Sequence, residues 1–82
     1  MHFVYVLQSL TDKTYYIGST QNLNQRLVDH NTGKSRYTKR KIPWVIIHSE
    51  EYATKTEALK REKQIKNWKN IRAIEHLIKR TT

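Results

Sequence analysis

The chain has 82 residues, which is enough for one domain, expected over residues 1–82, and too few for a second. It lacks cysteine, which excludes disulfide bonds and thiolate metal sites, and it has no apolar run near the ~20 residues of a membrane span. Sixteen Lys and Arg against seven Asp and Glu give a net charge of +9, which is typical of a protein that binds a polyanion such as nucleic acid.

Two short apolar segments near the amino terminus predict a β-hairpin. Residues 3–7 are apolar on both faces, which favours a central strand covered on two sides. After a polar turn at residues 11–13, residues 14–17 predict a second, antiparallel strand. If paired positions sum to an odd number, Tyr5 and Tyr16 project to the same face. Two such rings could simply fill a small core, so the pattern alone leaves their role open.

A glycine and a helix follow the hairpin. Gly18 stands where the second strand ends, and a glycine there often marks a bulge or a close approach to the backbone. We expect the helix to run to about Asn31 and to stop at Gly33. Three residues could serve as its N-cap: Ser19, Thr20 and Asn22.

The helix carries a cation and an imidazole at the border of its apolar stripe. At about 100° per residue, Leu23 and Leu27 define that stripe, His30 falls beside Leu23, and Arg26 lies at the edge. Arg26 and His30 are spaced i, i+4 and are therefore neighbours. One such residue at this border is expected on any solvated helix face, but a cation and an imidazole together are less easily explained in this way.

Residues 34–41 form a strongly basic segment. Its five cations and one aromatic suit a loop that follows a nucleic-acid backbone and stacks on a base. A solvated surface loop is the alternative. The candidate binding residues are Lys34, Arg36, Tyr37, Lys39, Arg40 and Lys41. Pro43 closes the segment, and residues 44–47 begin a third strand.

Thr54 and Glu57 form a capping-box pattern at the start of a second helix, which we expect to reach about Lys69. Its apolar arc holds Trp68, Ile65, Ala58 and Leu59. A third helix is expected over residues 71–78. The prediction is an α+β domain, with a three-stranded antiparallel sheet flanked by three to four helices.

One acidic residue, Glu62, falls inside the apolar arc of the second helix. A buried unpaired carboxylate is unfavourable, so this residue needs a partner. It could pair with Lys66 at i+4, or it could point into a cleft and hold a divalent cation. The helix pattern does not decide between the two.

In this order, these residues resemble the GIY-YIG nuclease superfamily. Residues 3–5 match the first half of the name only at Tyr5, whereas residues 16–18 match the second half completely. Residues 16–23, then Arg26 and His30, then residues 60–66 around Glu62, look like the small standalone bacterial members. These are similar to the amino-terminal nuclease domain of UvrC. The resemblance covers nearly the whole chain.

The resemblance implies a single-metal endonuclease acting on nucleic acid, with DNA as the expected substrate. Arg26 would clamp the scissile phosphate, and Glu62 would be the lone protein ligand of Mg²⁺ or Mn²⁺. Gly18 would let the backbone pass close to the site. Tyr5 and Tyr16 would lie beside the attacking water, with His30 helping to orient or deprotonate it. Which of these three takes the proton stays open.

Some expectations remain general. Many relatives place an asparagine in a late helix on the phosphate, and neither Asn67 nor Asn70 is clearly in register for that role.

The apolar amino terminus lacks the basic region of a signal peptide, so a cytoplasmic protein is expected, with a role in DNA repair or recombination. The oligomeric state is open. The alternative function is a catalytically silent nucleic-acid-binding module of the same fold.

Overall fold

The computed structural model describes residues 1–34, 36, 38–68 and 71–80. Its described part contains a three-stranded antiparallel sheet and three α-helices, which confirms the predicted α+β class. The elements follow in the order β1 (His2–Ser9), β2 (Tyr15–Thr20), α1 (Leu23–Asn31), a short 3-10 turn (Lys39–Lys41), β3 (Trp44–Tyr52), α2 (Lys55–Lys66) and α3 (Ile71–Arg80).

Strand β1 is central, with β2 and β3 antiparallel on either side, as its two apolar faces predict. The β1–β2 register pairs Tyr5 with Gly18 and Leu7 with Tyr16. Directly opposed residues share a face, so both tyrosines project to the same side of the sheet, as predicted. Strand β2 is longer than the expected residues 14–17, because its pairing with β1 continues through Gly18.

Consecutive residues of β1 supply two separate cores, since side chains alternate across a strand. Val4 packs with Ala58 and Ile65 of α2 on one face. Tyr5 and Leu7 face α1 on the other side, where Leu23, Leu27 and Trp44 join them. Fully burying one such side chain contributes roughly 1.5–3 kcal/mol, so the sheet is held from both sides.

Helix α1 begins after Asn22, one of the three candidate N-caps, and ends before Gly33, as predicted. Asn22 is the N-cap, and its side-chain oxygen accepts a hydrogen bond from the Gln25 backbone N–H at 3.1 Å. Gly33 follows the C-cap with φ +83°, a left-handed conformation that glycine adopts at no steric cost. The backbone N–H of Lys34 then donates to the Asp29 carbonyl at 3.0 Å, which closes the last turn.

Helix α2 begins as predicted but ends earlier. Thr54 is its N-cap and accepts from the Glu57 backbone N–H at 3.2 Å. The helix ends at Lys66, three residues before the expected end near Lys69.

The predicted apolar arc of α2 is wrong at Leu59, which is 45% exposed. Ala58 and Ile65 are fully buried against the sheet. Leu59 lies about 100° around the helix from Ala58, which turns its side chain away from the sheet. Among the described helices, none is long and apolar enough to cross a membrane.

Candidate active site

The Tyr5 phenol lies at the centre of the candidate site. It projects from the central strand and is only 2% exposed. Its hydroxyl lies 3.1 Å from His30 Nε2 and accepts a hydrogen bond from Arg26 Nε at 3.4 Å. The two α1 residues that the helical projection placed at the border of the core therefore meet on one oxygen atom.

Tyr16 completes an aromatic cluster with Tyr5 and His30. The two phenol rings lie 6.4 Å apart between centroids. The Tyr16 and His30 rings are closer, with centroids 4.9 Å apart and planes inclined at 62°. Edge-to-face contacts of this kind fix ring orientation. Tyr16 is half-buried, so it reaches both the cluster and solvent.

Gly18 makes room for the Tyr5 side chain. A Cβ at this position would lie 2.5 Å from the Tyr5 hydroxyl oxygen and 2.7 Å from its Cζ. These distances are shorter than non-bonded atoms tolerate, and the buried ring cannot turn aside. The close approach expected at this glycine is therefore made by the phenol of Tyr5 itself.

The second ring nitrogen of His30 contacts Thr38, a residue that the sequence did not mark as part of the site. Its Nδ1 lies 2.8 Å from the Thr38 hydroxyl, and both residues are fully buried. The Thr38 carbonyl accepts a hydrogen bond from Trp44 Nε1 at 2.9 Å. Thr38 lies in a charged segment with no periodic pattern, so no local signal marks it as buried.

The electrostatics of the cluster keep Tyr5 and His30 neutral at neutral pH. Burial raises the pKa of Tyr5, with Tyr16 and Glu62 acting in the same direction and Arg26 opposing them. Burial and the Arg26 charge lower the pKa of His30. The hydrogen bond to Tyr5 raises the pKa of Arg26, so the guanidinium stays charged beside the phenol.

Glu62 lies beside this cluster on α2 and is ion-paired. Its Oε2 accepts from Lys66 Nζ at 2.6 Å, the i, i+4 contact that the sequence allowed. The Glu62 side chain is 17% exposed, and its charge contributes to raising the pKa of Tyr5. A cleft of about 330 Å³ opens between Lys66 and residues 15–17 of β2.

One carboxylate at this place suits a hard divalent cation better than a soft metal. Mg²⁺ takes oxygen ligands, keeps several waters and often binds through one or two carboxylates. No group of three or more His, Cys, Asp or Glu side chains that could hold a metal occurs among the described residues. Glu62 is therefore the candidate ligand, and Lys66 would have to release it.

The basic segment divides into internally paired and free cations. Lys34 pairs with Asp29 at 3.5 Å, and Lys41 pairs with Asp12 at 3.1 Å. Three further cations are exposed and form no ion pair with the described part of the chain: Arg36, Lys39 and Arg40. Tyr37, expected to stack on a base, lies outside the described residues.

The asparagine expected on the phosphate finds no structural support in the described part of the chain. Asn67 is exposed and forms the C-cap of α2, where its backbone N–H bonds back into the last turn. Asn70 lies outside the described residues.

The amino-acid sequence matches the family model for the GIY-YIG catalytic domain over residues 1–75. The chain belongs to the GIY-YIG family. This confirms the resemblance carried by Tyr5, residues 16–18 and Glu62. The nucleases of this family generally depend on a divalent metal and act on nucleic acid.

Relatives of this GIY-YIG protein include a UPF0213 protein of Staphylococcus epidermidis, which is 43% identical over 68 residues, 82% of each chain. A UPF0213 protein of Halobacterium salinarum is 40% identical over 67 residues, which cover 80% of this chain and 86% of the relative. The solution NMR structure of a UPF0213 protein from Bacillus halodurans superposes with a TM-score of 0.61 at 29% identity, over 95% of this chain and 82% of that chain. The names of these relatives state no activity.

Proposed function

We propose that this GIY-YIG protein is a divalent-metal-dependent endonuclease that hydrolyses phosphodiester bonds in nucleic acid, with DNA as the substrate. The observation that carries the proposal is the meeting of Arg26 and His30 on the Tyr5 hydroxyl, beside the sheltered carboxylate of Glu62. A nucleophile-activating group, a cation for the phosphate and an oxygen ligand for a metal are the three parts that phosphodiester hydrolysis requires.

Arg26 supplies the cation for the phosphate. Its Nε is used on Tyr5 and its Nη1 lies 4.0 Å from Asp29 Oδ2, but the side chain is 37% exposed and can be reached by a ligand. A planar fork of donors can bind two oxygens of one phosphate and offset the charge that develops in the transition state. The Tyr5 contact fixes the direction of that fork.

Tyr5 and His30 form a path for the proton of the attacking water. A free phenol has a pKa near 10, about three units or roughly 4 kcal/mol from neutrality, and burial raises that of Tyr5 further. The phenol can therefore act as a base only if it passes its own proton on. His30 Nε2 lies 3.1 Å away and is an acceptor when Nδ1–H donates to Thr38. Tyr16 flanks both groups and shields them from solvent.

Glu62 would hold the metal ion. A bound Mg²⁺ or Mn²⁺ supplies Lewis acidity at a phosphate oxygen and stabilises the leaving oxygen. The Glu62 carboxylate fits this role because it is sheltered, carries oxygen donors and lies close enough to Tyr5 for its charge to raise the pKa of that phenol.

A plasmid-nicking assay with and without chelator tests the proposal. Glu62→Gln should lower the rate roughly 100-fold or more, because metal stabilisation is worth several kcal/mol and each ~1.4 kcal/mol is a factor of ten. The matched control is Glu51→Gln, an exposed carboxylate without a partner in the described part of the chain, which should cut normally. Nicking that survives both Glu62→Gln and chelation would contradict the proposal.

The second candidate is a nucleic-acid-binding module without turnover. The observation in its favour is the short ion pair between Glu62 and Lys66, which occupies the carboxylate that a metal would need. Binding of DNA without nicking in Mg²⁺ or Mn²⁺ would establish this function instead. Replacing Lys66 with Met in the same assay shows whether releasing the carboxylate restores cutting.

A cytoplasmic role in DNA repair or recombination follows from the proposed activity, with residues 1–82 acting as one nuclease domain. Specificity would then come from the shape of the nucleic acid. A panel of flaps, forks, four-way junctions and single strands, in DNA and RNA forms, would identify the preferred substrate.

A further inference from the structure

A second cleft, of about 280 Å³, lies at the far end of β2 from the Lys66 cleft. All of its lining residues are polar: His2, Ser19, Thr20, Gln21 and Lys55. Ser19 is paired with Val4 in the sheet, and Val4 packs under α2, so the Ser19 side chain lies on the α2 side of β2. The cleft is therefore bounded by the end of β2 and the first turn of α2.

Two donors in this cleft have no partner in the described part of the chain. The Thr20 hydroxyl accepts a hydrogen bond from the Asn22 backbone N–H at 3.1 Å and donates to the Asn22 carbonyl at 3.3 Å. The Gln21 side chain contacts His2 at 3.4 Å. Ser19 and the exposed Lys55 make no side-chain hydrogen bond or ion pair with any described residue. A hydroxyl and an ammonium group are thus left to bind an anion from outside.

Lys55 does not stabilise the helix that carries it. It is the first residue of α2, where the helix dipole favours acids and disfavours a cation by roughly 0.3–1 kcal/mol. The N-cap function at this end belongs to Thr54. The ammonium group of Lys55 is therefore not required by the fold and is available to bind a ligand.

Lys55 shares one face of α2 with Glu62 and Lys66. The spacings i+7 and i+11 return to within about 20° of the starting direction at about 100° per residue. At about 1.5 Å per residue, Lys55 lies roughly 10 Å from Glu62 along the helix axis.

We propose that the cleft formed by Ser19 and Lys55 binds a backbone phosphate close to the scissile one. The ligand is a phosphodiester of the same strand that lies across Arg26 and Glu62. This inference rests on the proposed function for its placement, but the cleft binds phosphate whether or not the strand is cut.

The test compares Lys55→Gln with Lys60→Gln in DNA-binding titrations over a range of salt concentrations. Lys60 is a matched control because it is an exposed lysine on another face of α2. Lys55→Gln should make the slope of log affinity against log salt shallower by about 0.9, so that over one decade of salt its affinity falls roughly eightfold less than that of wild type. Lys60→Gln should leave the slope unchanged. Ser19→Ala should also weaken binding, with an unchanged urea midpoint.

Equal slopes for the two lysine variants would overturn the proposal, since only diffuse charge would then matter. The proposal would also be overturned if the Ser19→Ala and Lys55→Gln variants both bound DNA with the affinity of wild type. Nicking is measured on the same samples. A protein that binds through Lys55 but never cuts refutes the endonuclease and leaves the phosphate site standing.

Discussion

At the residue scale, the site depends on the fit between one phenol and one glycine. Tyr5 and Gly18 are opposed across β1 and β2, and the end of the Tyr5 ring occupies the volume that any larger side chain at 18 would fill. The ring then reaches His30 and Arg26 on α1. The glycine therefore makes room for the phenol instead of serving a turn.

Gly18→Ala should destabilise the protein by about 1–3 kcal/mol, because the new methyl group overlaps the buried Tyr5 ring. Urea unfolding measures this. In a Tyr5→Leu background, which lacks the clashing hydroxyl and Cζ atoms, the same substitution should cost less. If the cost is equal in both backgrounds, the ring is not its cause.

The burial of the His30 imidazole could be predicted from the sequence, but the residues that hold it could not. The helical projection placed it beside the core, and it is fully buried there. Its bond to Thr38 connects residues eight positions apart through a turn, and the Trp44 indole holds Thr38 in place. Neither contact follows from spacing, because the turn between them determines which side chain meets the imidazole.

At the element scale, α2 is fastened to β3 by an ion-pair network centred on Glu50. Its carboxylate accepts from Arg61 Nε at 2.8 Å, from the Tyr52 hydroxyl at 2.6 Å and from His48 at 2.8 Å. Burial alone would raise the pKa of Glu50, but these hydrogen bonds outweigh it and lower the pKa to about 2. Arg61 immediately precedes Glu62, so the network also sets the position of the candidate metal ligand.

Glu50→Gln should lower the free energy of unfolding at pH 7 by about 2–3 kcal/mol. A lowered carboxyl pKa stabilises the fold above the unfolded value of about 4.5, and this contribution is lost as the pH falls towards 2. The difference from wild type should therefore shrink in urea titrations between pH 5 and about 2.

Glu51→Gln is the control for this substitution, since the neighbouring residue is exposed and without a partner among the described residues. It should change stability by no more than about 0.5 kcal/mol. A difference between Glu50→Gln and wild type that stays constant down to pH 2 would show that the carboxylate charge is not what fastens α2.

At the scale of the whole molecule, the charge of +9 is unevenly available. Lys34 and Lys41 are paired with acids at either end of the basic segment, whereas Arg40 is exposed and forms no ion pair with the described residues. The composition predicts attraction to a polyanion. A cation without an internal partner can bind a phosphate and release its counterion, whereas a paired cation must first give up an ion pair that stabilises the fold.

Arg40→Gln should weaken DNA binding and reduce its salt slope by about 0.9, with the urea midpoint unchanged. Lys41→Gln should instead lower the urea midpoint, because Asp12 and Thr14 lose their partner. Binding titrations and unfolding curves on both variants separate the two effects. If both variants lose stability and neither loses affinity, the segment is structural.

Sequence patterns alone predict three strands, the Thr54 cap of α2, the shared face of Tyr5 and Tyr16, and the family. These depend on periodicity, capping chemistry and motifs, all of which are local. The three-dimensional packing is needed to find that Thr38 holds His30, that Tyr5 fills the space at Gly18, that Arg61 is bound by Glu50, and that Leu59 is exposed. Local pattern sets the direction of a side chain, whereas the partner it meets depends on how separate elements pack against one another.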